Sequence, residues 1–444
     1  MSRNTSDGAT RRWGPYAVAT VLLATDFALT ARGLSHAGPG YARWALDHTS
    51  YSDIVSLSVA HYMGPNGFVH PLPYVHDRIE YPVLLGFTLW LPSWLPGGPA
   101  TWFAAAGVMT TAATFGSIAL LRRHHPASVW WLAAAPALLL DAAINWDLIG
   151  VFFLVGAVVW FGERRLWLSG ASAAAGTFFK LFPVVVAPMA LAALAARRWR
   201  RPVPVPVPVP VADRDVDGDV DVDQPGGAAR CSDLVRWLIA FVAVSVVVVG
   251  PFLVLAPANT LWFFRFNSLR SQKDSLWGLG DQLFGPTAFS EHTIDVLSLV
   301  AVVAATVLGV RAVWRTGPRG QTRAIALAST LVLLAWMIVN KVWNPQYILW
   351  VAAAAALTAM PARFGVALGA VSVYDYWVEF VLRHPDRAYG YGVAGFAADL
   401  ARAVLFVAMA WWAVVELRAL AKVPSSFPLE ATPTPSPSPT PSPT

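Results

Sequence analysis

Three carboxylates, Asp53, Asp77 and Glu80, stand among Tyr, His and Pro in "YSDIVSLSVAHYMGPNGFVHPLPYVHDRIEYPVL", residues 51 to 84. An ionised carboxylate beside a bound hydroxyl is suited to take its proton as a general base. Asp53 follows Ser52, which suits a helix N-cap, so "SDIVSLSVAHYM" is expected to start a short helix with Asp53 in its first turn. There the positive helix end favours the ionised form. Two readings of Asp53 fit this pattern: a catalytic base and a plain first-turn helix carboxylate. His70, His76, Asp77 and Glu80 are the donors available for a metal site, but their spacing matches no ligand signature, and neither a metal nor a cofactor is expected.

The cations are equally local. Lys180 lies in "AAGTFFKLFPVVVAP", at the junction of two short apolar runs. A lysine there is costly unless it is paired or reaches water, so it either holds a phosphate as a point charge or snorkels to the interface. The turn "NKVWNPQY" gathers Asn340, Lys341, Asn344, Gln346 and Tyr347 around Pro345, and such polar backbone is tolerated between spans where it lines a cavity. In "WFFRFNSLRSQKDSLWGL", Arg265, Arg270 and Lys273 alternate with aromatic residues. That pattern suits an anionic headgroup beside acyl chains, and equally an interfacial anchor. Asp141 and Asp147 flank another turn in "LLLDAAINWDLIGVFF", as substrate contacts or helix caps, with capping the expectation for Asp141. Asp26 falls inside the first apolar run, where a lone carboxylate is neutral or paired.

The elements that must position these groups are membrane helices. The chain of 444 residues is 56% hydrophobic and only 13% charged, with a mean hydropathy of +0.52, whereas soluble domains carry roughly 25% charged residues. A helix needs about 20 apolar residues to cross the hydrocarbon core, and all its backbone groups must pair internally. Spans are expected near 14–34, 99–121, 127–140, 143–161, 166–179, 181–197, 234–256, 291–313, 324–340, 346–360, 364–382 and 392–416. The expected class is therefore an all-α polytopic membrane protein. "YPVLLGFTLWLPSWLP" is too short to span comfortably and carries Pro92 and Pro96, so it is assigned to the interface, with Trp90 and Trp94 at headgroup level.

The net charge of +6 falls in short basic clusters at the ends of apolar runs: "RRHH" at 122, "ERR" at 163, "RRWRR" at 197, the run from Arg311, Arg363 and "LRALAK" at 417. All lie on the side of Arg11 and Arg12, as the positive-inside rule requires of a cytoplasmic face. The basic balance is thus topology, and no nucleic acid partner is expected. The N-terminal run reads as a retained signal-anchor, and Cys231, the single cysteine, forms no intramolecular disulfide.

The chain divides into a cytoplasmic tail 1–13, an N-terminal membrane module 14–196 with the first outer loop 35–98, a cytoplasmic linker 197–233, a C-terminal membrane module 234–422 and a disordered Pro/Ser/Thr tail 423–444. The linker alternates Pro and Val as an extended spacer and then matches D-x-D-x-D-G from Asp213. Gln224 stands where a calcium loop needs its bidentate Glu, so a solvated linker is the expectation.

In chain order, "SDI", "PLPY", "EYPVL", "NWDLIGVFFL", "KLFPVVVAP" and "KVWNPQYILW" resemble the GT-C superfamily of membrane glycosyltransferases. Within it they are most similar to family 87, the polyprenyl-phosphate-mannose-dependent mannosyltransferases of actinobacteria. The likeness runs from Tyr51 to Trp350. It implies a GT-C type bundle of about 11–13 transmembrane helices, a large first extracytoplasmic loop with interfacial helices, and a plasma-membrane location. It also implies a polyprenyl-phosphate sugar donor, a glycolipid or glycan acceptor, and inverting transfer. On that implication Asp53 is the base, and Lys180, Arg265, Arg270 and Lys341 hold the donor phosphate. His76, Asp77, Glu80 and Tyr81, with Asp147, Asn344, Gln346 and Tyr347, shape the substrate sites. The chain departs from the pattern at "EYPVL", where a second Pro is usual, and at Asn344, where Ser is common; both bear on the acceptor. Other polyprenyl-phosphate sugars, such as arabinofuranose or glucose, share the same leaving group. A transporter or lipid flippase predicts an internal repeat, and the chain shows none.

Overall fold

The computed structural model describes residues 5–64, 67–199, 227–270, 274–285, 289–382 and 388–422. The Asp-rich motif of the linker, Lys273 and the C-terminal tail lie outside the described residues.

Helices dominate because the long apolar runs leave the backbone no other partner than itself. Among the described residues eight helices are long and apolar enough to cross a membrane: Trp13–His36, Gly98–His124, Phe182–Trp199, Ser232–Leu255, Glu291–Arg315, Pro318–Val339, Ala362–Leu382 and Gly392–Lys422. Four shorter apolar pieces accompany them, Val83–Trp94, Trp130–Leu140, Asp147–Gly162 and Pro345–Thr358. The protein is an all-α, multi-pass membrane protein. The only sheet among the described residues is a two-residue hairpin, Met63–Gly64 against Gly67–Phe68.

Two expected segments differ in detail. The run 127–140 is broken into the short helices Trp130–Ala133 and Ala137–Leu140. The break falls at Pro136, which has no N–H to donate and restricts the residue before it. "YPVLLGFTLWLP" does form a short helix, Val83–Trp90, but Val83, Leu85 and Leu89 turn inward and pack in an apolar cluster with Trp102 and Trp146. Its inward face is covered by protein, and Trp94 at its end stays exposed.

The main core joins both membrane modules. Every residue from Ile348 to Thr358 is buried, and this alanine-rich helix packs against Asp147–Gly162 and Gln321–Val339. Small side chains let those backbones approach closely. The helix Leu166–Lys180 packs along Gly227–Leu255, across the linker. The basic clusters gather at one end, where Arg123 and Arg165 meet Glu163 at 3.3 and 3.6 Å, Arg323 meets Glu416 at 2.7 Å, and Arg164 pairs with Asp233. The long loops gather at the opposite end, called the loop end below.

Candidate functional site

The loop end holds a cavity of about 750 Å³ that draws its walls from segments far apart in the chain. Asp53, Glu80, Tyr81, Lys180, Arg270 and Lys341 all line it, as do Asn344, Gln346 and Tyr347.

Asp53 is the first residue of the helix Asp53–Tyr62. Ser52 occupies the N-cap position with an extended backbone but makes no side-chain cap; its hydroxyl donates instead to the Ala143 carbonyl at 2.5 Å. The first-turn amides are satisfied from outside the helix, because Asp53 N and Ile54 N donate to the Ile144 carbonyl at 2.8 and 3.3 Å. The helix start is therefore fastened to the turn that enters Asp147–Gly162, and orphan N–H groups demand some such partner.

That turn also supplies a ligand for the carboxylate. Asn145 Nδ2 donates to Asp53 Oδ2 at 2.8 Å and to the Tyr81 hydroxyl at 2.9 Å, while the Tyr51 hydroxyl donates to Asp53 Oδ1 at 2.7 Å. Asn145 Oδ1 accepts from Trp146 N at 2.7 Å, which fixes the amide with its NH₂ towards Asp53. Each carboxylate oxygen keeps a lone pair for a further donor. The Asp53 charge, with burial second, pushes the Tyr51 phenol well above its ordinary value. Burial, with the Asp53 charge second, does the same for Tyr81. Both phenols stay protonated donors. Since Tyr81 oxygen accepts from Asn145, its own proton is available to the cavity.

Glu80 lines the same wall, and its carboxyl is raised above the ordinary glutamate value, first by burial and then by the neighbouring Asp53 and Asp77 charges, against the opposing pull of His61 and Arg270. The Glu80–Tyr81 segment is held by Tyr74, whose hydroxyl donates to the Tyr81 and Pro82 carbonyls at 3.0 and 2.8 Å. Gly86 makes room for that ring, because a Cβ there would sit 2.3 Å from the Tyr74 hydroxyl oxygen.

Lys180 is buried at the end of Leu166–Lys180 and pairs with Asp147 at 3.2 Å. Asp147, fully buried, also accepts from Trp350 Nε1 at 2.6 Å. Asp147 thus lies behind the cavity wall, engaged by two donors, and Lys180 reaches the cavity with its ammonium 5.0 Å from the Tyr81 ring centre. Gly150 permits the approach, since a Cβ there would meet Phe182 at 2.7 Å and Lys180 Cβ at 3.3 Å. The chain turns through Leu181 at φ 59, a strained backbone for a residue with a side chain.

Across the cavity Lys341 pairs with Asp295 at 3.1 Å and donates to the Ser268 carbonyl at 3.1 Å. Asn344 donates to the Tyr347 hydroxyl at 3.0 Å, and Tyr347 stacks on Trp350. Both lysines are therefore already partnered by carboxylates. Arg270 faces the cavity with its guanidinium near the Phe266 ring.

The other expected site residues lie elsewhere. Arg265 is exposed and rests over Trp262, the ring on which Arg78 also lies. His76 is exposed and Asp77 pairs with His61 at 2.6 Å; neither lines the cavity. His70 meets Ser93 at 3.0 Å and stacks on Trp94, and among the described residues no three His, Cys, Asp or Glu converge as metal donors. Asp141 is fully buried with neither carboxyl oxygen in a hydrogen bond, so its side chain caps nothing.

Tyr51, Asn145, Asp295 and Glu379 also belong to the cavity or its hydrogen bonds and were not singled out in the sequence. Asn145 had one local signal, a polar residue just before Asp147 in a turn between apolar runs. No protein-family model matches the chain, and no curated protein matches it.

Proposed function

We propose that the protein transfers a sugar, mannose on the resemblance set out above, from a polyprenyl-phosphate donor to a hydroxyl of a glycolipid or glycan. The observation that carries this reading is the meeting, in one cavity at one end of a membrane bundle, of the Asp53 carboxylate with Arg270, Lys180 and Lys341.

The acceptor hydroxyl loses its proton to Asp53 as its oxygen bonds to the anomeric carbon from one face. The bond from that carbon to the phosphate oxygen breaks on the other, and the configuration inverts. Tyr51 and Asn145 hold Asp53 in place and stabilise its charge before the proton arrives. Arg270 offers a planar fork of donors to the departing phosphate. Lys180 and Lys341 add charge that their carboxylate partners partly neutralise. The clustering of arginines at the far end supports a cytoplasmic location for that end and for both termini, which would leave the cavity extracytoplasmic in the plasma membrane.

Purified protein incubated with radiolabelled polyprenyl-phosphate-mannose and a membrane lipid extract is expected to yield a labelled glycolipid. A positioned base is worth roughly 10² to 10⁴ in rate, so Asp53→Asn should lower transfer by at least that lower figure while the protein stays folded. Absence of transfer by the wild type overturns the reading. Activity of the Asn variant within a few-fold of wild type removes Asp53 from the base role.

A further inference from the structure

The geometry points to Asp26 as a positioning residue for Asp53, acting through the backbone N–H and C=O of Ala143; this inference rests on the transfer reading. Asp26 lies in the helix Thr5–Ala31, which packs against Ala137–Leu140, and is 4% exposed. Its Oδ2 accepts from Ala143 N at 2.7 Å, and its Oδ1 lies 3.5 Å from the Thr30 hydroxyl. The carbonyl of the same residue, Ala143, accepts from Ser52 at 2.5 Å. Residue 143 is therefore gripped on both sides, by the first membrane helix at its N–H and by the residue before Asp53 at its C=O.

The next two residues carry the consequence. The Ile144 carbonyl takes the Asp53 and Ile54 amides, and the Asn145 side chain takes Asp53 Oδ2 and the Tyr81 hydroxyl. Asp26 is the contact that ties this turn to the first membrane helix, so the placement of Asn145 and of the start of the Asp53 helix depends in part on it. Removing the Asp26 acceptor leaves the Ala143 amide buried and unsatisfied, a penalty that favours rearrangement of the turn. Asn145 and the start of the Asp53 helix then shift together, although Asp26 is not among the residues that line the cavity. The polar side chain within the first apolar helix is thus explained by a hydrogen bond to the turn that carries Asn145.

The test uses the full chain in lipid nanodiscs, as wild type, Asp26→Ala and Asp26→Asn. Amide hydrogen exchange reads the clamp directly, because Ala143, Asp53 and Ile54 amides are the donors concerned. Asp26→Ala is expected to speed exchange of segments 141–147 and 51–56 by about tenfold or more, while the buried helix Gln321–Val339 is unchanged. Asp26→Asn keeps a carbonyl acceptor and should stay near wild type. In the transfer assay Asp26→Ala should lower kcat by about tenfold with donor KM unchanged, and Asp26→Asn should restore it. Unchanged exchange at 51–56 in the Ala variant overturns the inference, as does faster exchange throughout the protein, or an Asn variant as defective as Ala. If the wild type transfers nothing, the function reading fails and the exchange measurement still decides the clamp.

Discussion

The loop-end cavity of about 750 Å³ is walled by carboxylates, lysines and an arginine. The cleft between Trp130–Leu140, Ile348–Thr358 and Ala362–Leu382, at about 930 Å³, is larger and has no charged residue in its lining. Its walls are Ala, Gly, Val, Ile, Leu, Trp and Pro, with Tyr374 and Ser372 the polar exceptions. Size alone would choose the cleft. Chemistry chooses the cavity, because charge in a low-dielectric interior persists only where partners are arranged for it, and arranged charge is what a group transfer with a departing phosphate requires. The cleft has the composition of a surface made to meet hydrocarbon.

This contrast can be broken or sharpened by substitution. After that of Asp53→Asn, the largest effect is expected from Lys180→Met. It leaves Asp147 buried with Trp350 as its remaining donor, and breaking such a pair costs about 3–5 kcal/mol of stability. Adding Asp147→Leu should recover most of that loss. A single variant within about 0.5 kcal/mol of wild type in thermal or denaturant unfolding would mean that the pair is solvated from the cavity.

Glu80→Gln tests the cavity's pH response. Because its carboxyl is raised in the folded protein, the folded state holds the Glu80 proton more tightly than the unfolded state does. This residue's contribution is full at low pH and is lost as pH rises through the raised value. The Gln variant should therefore melt a few degrees above wild type near neutral pH, with the gap closing towards about pH 4. A gap that widens on acidification contradicts the assignment. The smallest effect is expected from Val366→Phe, at an exposed position of the cleft. Transfer should stay within about twofold of wild type; a large rise in donor KM would instead give the cleft a part in holding the lipid chain.

Much of the site could be read locally. Asp53 in a first helical turn follows from "SDI", and the polar turn "NKVWNPQY" announces itself between two apolar runs. Other assignments required the fold. Arg265 and Arg270 lie five residues apart in one aromatic-rich pattern, yet one rests on Trp262 outside the cavity and the other faces into it. Lys180 was recognisable as costly in the membrane and Asp147 as a polar residue at a turn, but their pairing across 33 positions is set by the packing of their two helices, which Gly150 lets come close. Asn145 could be seen as a polar residue in a turn but not as a partner of Asp53, because nothing in that turn records that Asp53, 92 positions earlier, will lie 2.8 Å away.

The sequence by itself determined that this is a helical membrane protein with basic residues collected at one end. Hydrophobic run length and internal backbone pairing are properties of contiguous residues. Only the tertiary structure decided which polar groups meet. Burial makes each polar group seek a partner, and that partner is supplied by whichever distant segment the packing of the helices brings within hydrogen-bond reach.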